Sequence, residues 1–69
     1  DFTGRNEESI KLHQNIINDY PYSELAWFNL GAAYQGLKLY EKSIDAYMYC
    51  TAIDEKFDYA YRNMGDAYI

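Results

Sequence analysis

The sequence predicts an all-α chain of antiparallel helix-turn-helix repeats, and three observations carry the prediction. The stretch Trp27-Phe28-Asn29-Leu30-Gly31-Ala32-Ala33-Tyr34 returns 34 residues later with its chemistry kept. Trp27 becomes Tyr61, Leu30 becomes Met64, Gly31 becomes Gly65 and Tyr34 becomes Tyr68, while Ala26, Asn29 and Ala33 recur as Ala60, Asn63 and Ala67. Within each copy the aromatic, aliphatic, glycine and tyrosine fall at i, i+3, i+4 and i+7, which is one face of a helix. Between the apolar faces lie helix-stopping or turn-forming stretches around Pro21, Gly36 and Glu55. A period of this size belongs to stacked units, each buried against its neighbours.

Taken in order, residues 1–5 read as the end of an inter-helix turn. Gly4 stands one period before Lys38, at a bend where positive φ suits glycine. Phe2 is expected to pack on an adjoining helix. Asn6 reads as an N-cap with Glu7 and Glu8 in the first turn, and the helix runs to about Asp19. Its face is Ile10, His13, Ile16 and Ile17. Pro21 ends it, because the residue before a proline is pushed out of the α region.

Ser23 is the expected N-cap of the second helix. Its apolar positions are Leu25, Ala26, Trp27, Leu30, Ala33, Tyr34 and Leu37, a stripe wide enough for packing on two sides. Gly31 lies mid-helix, where it costs about 0.5–1 kcal/mol against alanine. Close helix approach is the expected reason, shared by Gly65. Gly36 and the residues after it turn the chain. The third helix spans about Glu41 to Asp54, with Tyr40, Ile44, Tyr47, Cys50 and Ile53 on one side. Glu55-Lys56-Phe57 then connects to a fourth helix, capped by Asp58 and carrying Ala60, Tyr61, Met64, Ala67 and Tyr68.

With its 34-residue period, the pattern Trp27-x2-Leu30-Gly31-x2-Tyr34 resembles the first helix of a tetratricopeptide repeat. In that register Ser43 and Cys50 take the two small-residue sites of the second helix and Tyr47 the aromatic site between them. Pro21 falls at the family's closing proline. The equivalent position after the complete repeat is Glu55, a departure that questions how sharp the second turn is. The resemblance implies a right-handed solenoid fragment. Residues 1–23 would be the second helix of a partial repeat, 24–57 a complete repeat, and 58–69 the first helix of the next. A chain that begins and ends mid-repeat reads as part of a longer array.

Composition bounds the function. Eleven acidic against six basic residues give a net charge of −5, which argues against a nucleic-acid surface. No apolar run approaches the ~20 residues that cross a bilayer, so this segment is expected to make no membrane contact. His13 is the only histidine and sits among core-like isoleucines, so it reads as a half-buried packing residue. Cys50 has no basic neighbour at i±3 or i±4 and lies on a core face, which makes it a buried, inert thiol. No phosphate-cradling glycine run, metal loop or base–nucleophile pair is present. The chain is read as non-enzymatic, with no metal and no cofactor.

Nine tyrosines remain to be placed. Tyr34, Tyr47, Tyr61 and Tyr68 hold repeat positions and are expected to pack between helices. Tyr20, Tyr22, Tyr40, Tyr49 and Tyr59 are less constrained and suit a contact surface. In the resembled family the first helices of successive repeats line a concave groove that takes a protein or peptide ligand. Carried over residue by residue, the groove candidates are Leu25, Phe28, Asn29 and Ala32, followed by Tyr59, Arg62, Asn63 and Asp66. Phe28 and Tyr59 offer apolar contact, and the two asparagines offer paired donor and acceptor groups to a peptide backbone. They are equally readable as contacts within the scaffold. Arg62 is the only cation among the candidates, so capture of a C-terminal carboxylate is not expected. The alternative is a regulatory or structural repeat segment attached to a catalytic, signalling or assembly module outside this chain. Weak self-association through the uncovered terminal helix is also expected.

Overall fold

Over the described residues the chain folds back and forth as four helices, each packed on its neighbour in sequence. The computed structural model describes residues 2–68, with side chains from Glu7 to Tyr68, as helices α1 (Phe2–Asp19), α2 (Glu24–Gly36), α3 (Tyr40–Ile53) and α4 (Asp58–Tyr68). No strand occurs among the described residues. Short turns at 20–23, 37–39 and 54–57 fold each helix back on the one before, which makes neighbours antiparallel. α2 packs between α1 and α3, α4 lies against α3, and α4 also touches α2. Among the described residues α1 approaches neither α3 nor α4. The Cα atoms fill a slab of 34 × 32 × 15 Å, so burial comes only from adjacent helices.

The turns at 20–23 and 54–57, one 34-residue period apart, are built alike. Ser23 N–H donates to Tyr20 O at 3.1 Å, and one period later Phe57 N–H donates to Asp54 O at 3.1 Å. Pro21 stiffens the first turn through its fixed φ. In the second, the Asp54 carboxylate accepts from Lys56 N–H at 3.1 Å, a local side-chain bond that mimics a backbone turn. Glu55 therefore costs the turn none of its sharpness. Ser23 caps α2 as expected, its hydroxyl accepting from Ala26 N–H at 3.3 Å. Asp58 does not cap α4. It is the first helical residue, where its charge faces the positive end of the helix dipole.

The N-terminal turn expected at residues 1–5 is not observed. α1 begins at Phe2, so Gly4 and Asn6 lie inside the helix, and no proline between 2 and 19 interrupts it. The expected contact of the Phe2 side chain lies outside the described residues. At the other bend, α2 continues through Gly36, and the left-handed residue is Lys38, with φ 62°. Leu39 N–H donates to Tyr34 O and Lys38 N–H to Gln35 O, both at 3.0 Å, which together form a Schellman closure. Its left-handed position normally takes glycine, and here lysine bears the strain.

Two small cores result. Ile17, Ala26, Leu30 and Ala46 are buried together, with Ile10, Trp27 and Tyr34 against them. Tyr47, Cys50 and Ala60 form the second core, flanked by Trp27, Phe28, Phe57 and Met64. Ser43 is also fully buried, its hydroxyl donating to Tyr40 O at 2.8 Å. On α1 the expected face divides: Ile17 is buried, His13 half-buried, and Ile16 turns outward.

Gly31 and Gly65, equivalent in sequence, meet different surroundings. A Cβ on Gly31 would lie 2.6 Å from both Cδ1 and Cε1 of Tyr47, whereas one on Gly65 would meet nothing within 4 Å. Close approach thus explains Gly31 alone. The Tyr47 ring is fully buried and has nowhere to retreat. Gly31→Ala should destabilise the chain in urea by roughly 1–2 kcal/mol, because overpacking outweighs the gain in helix propensity. Gly65→Ala should stabilise it by about 0.5–1 kcal/mol. A second urea series should show Lys38→Gly raising stability by about 0.5–1 kcal/mol, since only glycine adopts that φ freely.

Candidate functional site

The eight groove candidates lie on α2 and α4, which touch, so equivalent residues of the two helices stand on neighbouring elements. Leu25, Ala32, Tyr59, Arg62 and Asp66 are exposed, whereas Phe28, Asn29 and Asn63 are half-buried. Tyr59 is 66% exposed, and the Arg62 guanidinium carbon sits 5.9 Å from its ring centroid, within reach of a cation–π contact.

Phe28 and Asn63 are drawn into the scaffold. Phe28 packs tilted against Phe57 at 5.1 Å and Tyr47 at 5.7 Å between ring centroids. Asn63 Nδ2 donates to the Tyr47 hydroxyl at 3.4 Å, and that hydroxyl donates to Gln35 Oε1 at 2.7 Å. A buried phenol needs such partners, because an unpaired buried hydroxyl is costly. This asparagine therefore links α4 to α3.

Two further hollows open beside Trp27, one shared by α2, α3 and the turn before α2, the other by α1 and α2. Trp27 stacks on Tyr49, with centroids 4.5 Å apart and planes 22° from parallel. Its indole Nε1–H donates to Pro21 O at 2.9 Å, fixing the ring beside the turn. An open hollow of about 490 Å³ is lined by Pro21, Tyr22, Trp27, Tyr49, Ala52 and Ile53. Another, of about 430 Å³, lies between Gln14, Ile17 and Asn18 of α1 and Trp27, Leu30 and Tyr34 of α2. The Tyr34 hydroxyl accepts from Gln14 Nε2 at 3.1 Å across that gap. Tyr22 and Tyr49 are among the tyrosines that the sequence marks as suited to a contact surface, though not among the eight groove candidates. Their freedom from the repeat positions was the available signal.

Tyr61 and Tyr68 do not pack as their register suggests. They are 49% and 71% exposed, because no described helix covers that side of α4. Cys50 is buried, and desolvation, reinforced by the negative charges of Glu24 and Asp54, pushes its thiol up to about 11. Burial also raises the Tyr47 phenol, with Asp66 adding to the rise. His13 Nδ1 is shielded from solvent with no hydrogen-bond partner among the described residues. No group of three or more His, Cys, Asp or Glu side chains among the described residues is placed to hold a metal ion. No described helix is long and apolar enough to cross a membrane.

Comparison with protein-family models, curated proteins and solved structures finds no match to this chain.

Both raised pKa values favour the neutral form in the fold. The stability they contribute is present below the unfolded thiol's value of ~8.5 and lost as pH rises through the folded value. Urea midpoints should therefore fall as pH climbs from ~9 toward about 11. Cys50→Ala should make that fall shallower. At pH ~8 a thiol reagent should label the folded chain far more slowly than the chain in urea.

Proposed function

We propose that this chain is a non-enzymatic protein- or peptide-binding segment of tetratricopeptide-like architecture, with its ligand surface on the side shared by α2 and α4. The observation that supports the reading is the contact between these two helices, whose sequences stand one 34-residue period apart. Leu25 and Ala32 supply exposed apolar surface there, Tyr59 an amphipathic ring, and Arg62 and Asp66 one charge of each sign. That mixture suits a peptide with both apolar and charged side chains. Phe28, Asn29 and Asn63 act mainly beneath this surface, as its floor. A non-enzymatic role accords with the thiol, which is buried and hard to ionise.

The aromatic hollow of Pro21, Tyr22, Trp27 and Tyr49 supports a second placement of the ligand on the opposite side of α2. The broader alternative is a repeat segment serving a catalytic, signalling or assembly module elsewhere in a longer protein.

The two placements separate by selection from a displayed library of twelve-residue peptides, followed by calorimetric titration of the winners. Tyr59→Ala and Arg62→Ala are the informative variants, because both side chains are exposed, while Phe28→Ala would damage the second core. Each is expected to weaken binding about tenfold, or ~1.4 kcal/mol. Tyr49→Ala should leave affinity unchanged. The reverse pattern would move the ligand to the aromatic hollow, and a library yielding no binder would overturn the proposal.

A further inference from the structure

The repeat register leaves two unlike faces open at opposite ends of the molecule, and they match each other. Inside the chain α2 packs on α3, with Trp27, Leu30, Gly31 and Tyr34 on one helix and Ser43, Ala46, Tyr47 and Cys50 on the other. Its tightest point is the Tyr47 ring seated over Gly31. One period after the α2 set stand Tyr61, Met64, Gly65 and Tyr68 on α4. Tyr61, Gly65 and Tyr68 are exposed, and the space over Gly65 is empty to 4 Å. One period before the α3 set stand Ser9, Leu12, His13 and Ile16 on α1. Leu12 is 58% and Ile16 37% exposed. His13, half-buried with its Nδ1 shielded, occupies the register of Tyr47 and again offers a planar ring.

We infer that α4 of one copy takes α1 of a second copy, rebuilding between chains the joint that α2 and α3 make within one. The occupant is a second copy because this chain carries both halves of the joint in matching register. Within one molecule the halves do not meet, since among the described residues α1 and α4 do not approach each other. His13 of the second copy sits over Gly65, Leu12 and Ile16 cover Tyr61 and Met64, and Tyr68 closes the far side. The contact is heterologous, head to tail, so each added copy presents the same free α4 again and association is open-ended rather than a closed pair. It uses a different side of α4 from Tyr59 and Arg62 and does not depend on the peptide-binding reading.

Sedimentation equilibrium of the 69-residue chain over a wide concentration range tests the joint. The wild-type average mass should climb with concentration past that of two chains. Gly65→Lys should lose this climb, while circular dichroism shows its helix content retained, because that position touches nothing in its own chain. A Leu12→Glu/Ile16→Glu chain should likewise be monomeric. Mixed in equal amounts, the two variants should form a one-to-one pair and no larger species, since one keeps a working α1 face and the other a working α4 face. A wild-type chain that stays monomeric throughout would overturn the inference. So would self-association of the α1 variant, which would mean α4 pairing with α4, or a mixture of folded variants that does not pair. Should the α1 variant lose its helicity, Gly65→Lys decides alone: undiminished association there sinks the joint.

Discussion

The placement of the Tyr47 ring over the bare backbone of Gly31 is the constraint on which the rest of this structure depends. A Cβ at position 31 would stand 2.6 Å from the ring, so α2 and α3 reach their observed spacing only because one lacks a side chain there. Glycine in mid-helix costs about 0.5–1 kcal/mol. Full burial of a large ring returns about 2 kcal/mol, and two hydrogen bonds to its hydroxyl add about 1 kcal/mol each in net terms. The exchange favours the close approach. The same ring then serves three helices: its edge lies on α2, its backbone belongs to α3, and its hydroxyl is held by Gln35 and by Asn63 of α4. A slab with such thin cores has few other residues that connect three elements at once.

Much of this was legible in the sequence. The helix count, the Ser23 cap and the burial of Tyr47 and Cys50 follow from residue type and spacing, whereas the small-residue place of Ser43 came only from the resemblance. What was missed depended on neighbours. Gly4 resembles a turn glycine by register, yet the residues around it continue the helix. Lys38 sits where glycine was the natural choice, and no propensity identifies a lysine at φ 62°. Ile16 and Ile17 are equally apolar, and only the position of α2 determines which of them is covered. Glu55 suggested a loose turn because the compensating bond comes from Asp54, a neighbour whose side chain supplies what proline supplies elsewhere.

The candidate site was legible as a set of positions and less so as a set of roles. Register alone puts Phe28, Asn63, Tyr59 and Arg62 on comparable parts of their helices. Packing then separates them, because Phe57 and Tyr47 claim Phe28 and the Tyr47 hydroxyl claims Asn63. Tyr59 and Arg62 face each other and solvent, with Phe57 edge-on to the Tyr59 ring. A carboxamide suits both duties, since it donates to a buried phenol through one group and leaves the other free. The Trp27–Tyr49 stack shows the converse. Tyr49 holds no repeat position and stays 57% exposed, yet its ring stacks on Trp27.

Repetition makes these differences informative, because it holds the chemistry nearly constant while the surroundings change. Trp27 and Tyr61, or Gly31 and Gly65, are almost the same residues on almost the same helix. The first of each pair is packed and the second open. Burial in such a chain is therefore a property of the joint between units and not of the unit itself. A helix of this kind gains most of its stability from the neighbour that covers it, since eleven residues such as those of α4 are too few to hold a helix alone in water. Among the described residues α4 packs on α3 and touches α2. Ala60 and Ala67 anchor it to α3, while Tyr61 and Tyr68 hold large apolar surface in water, which lowers its free energy only when something covers it.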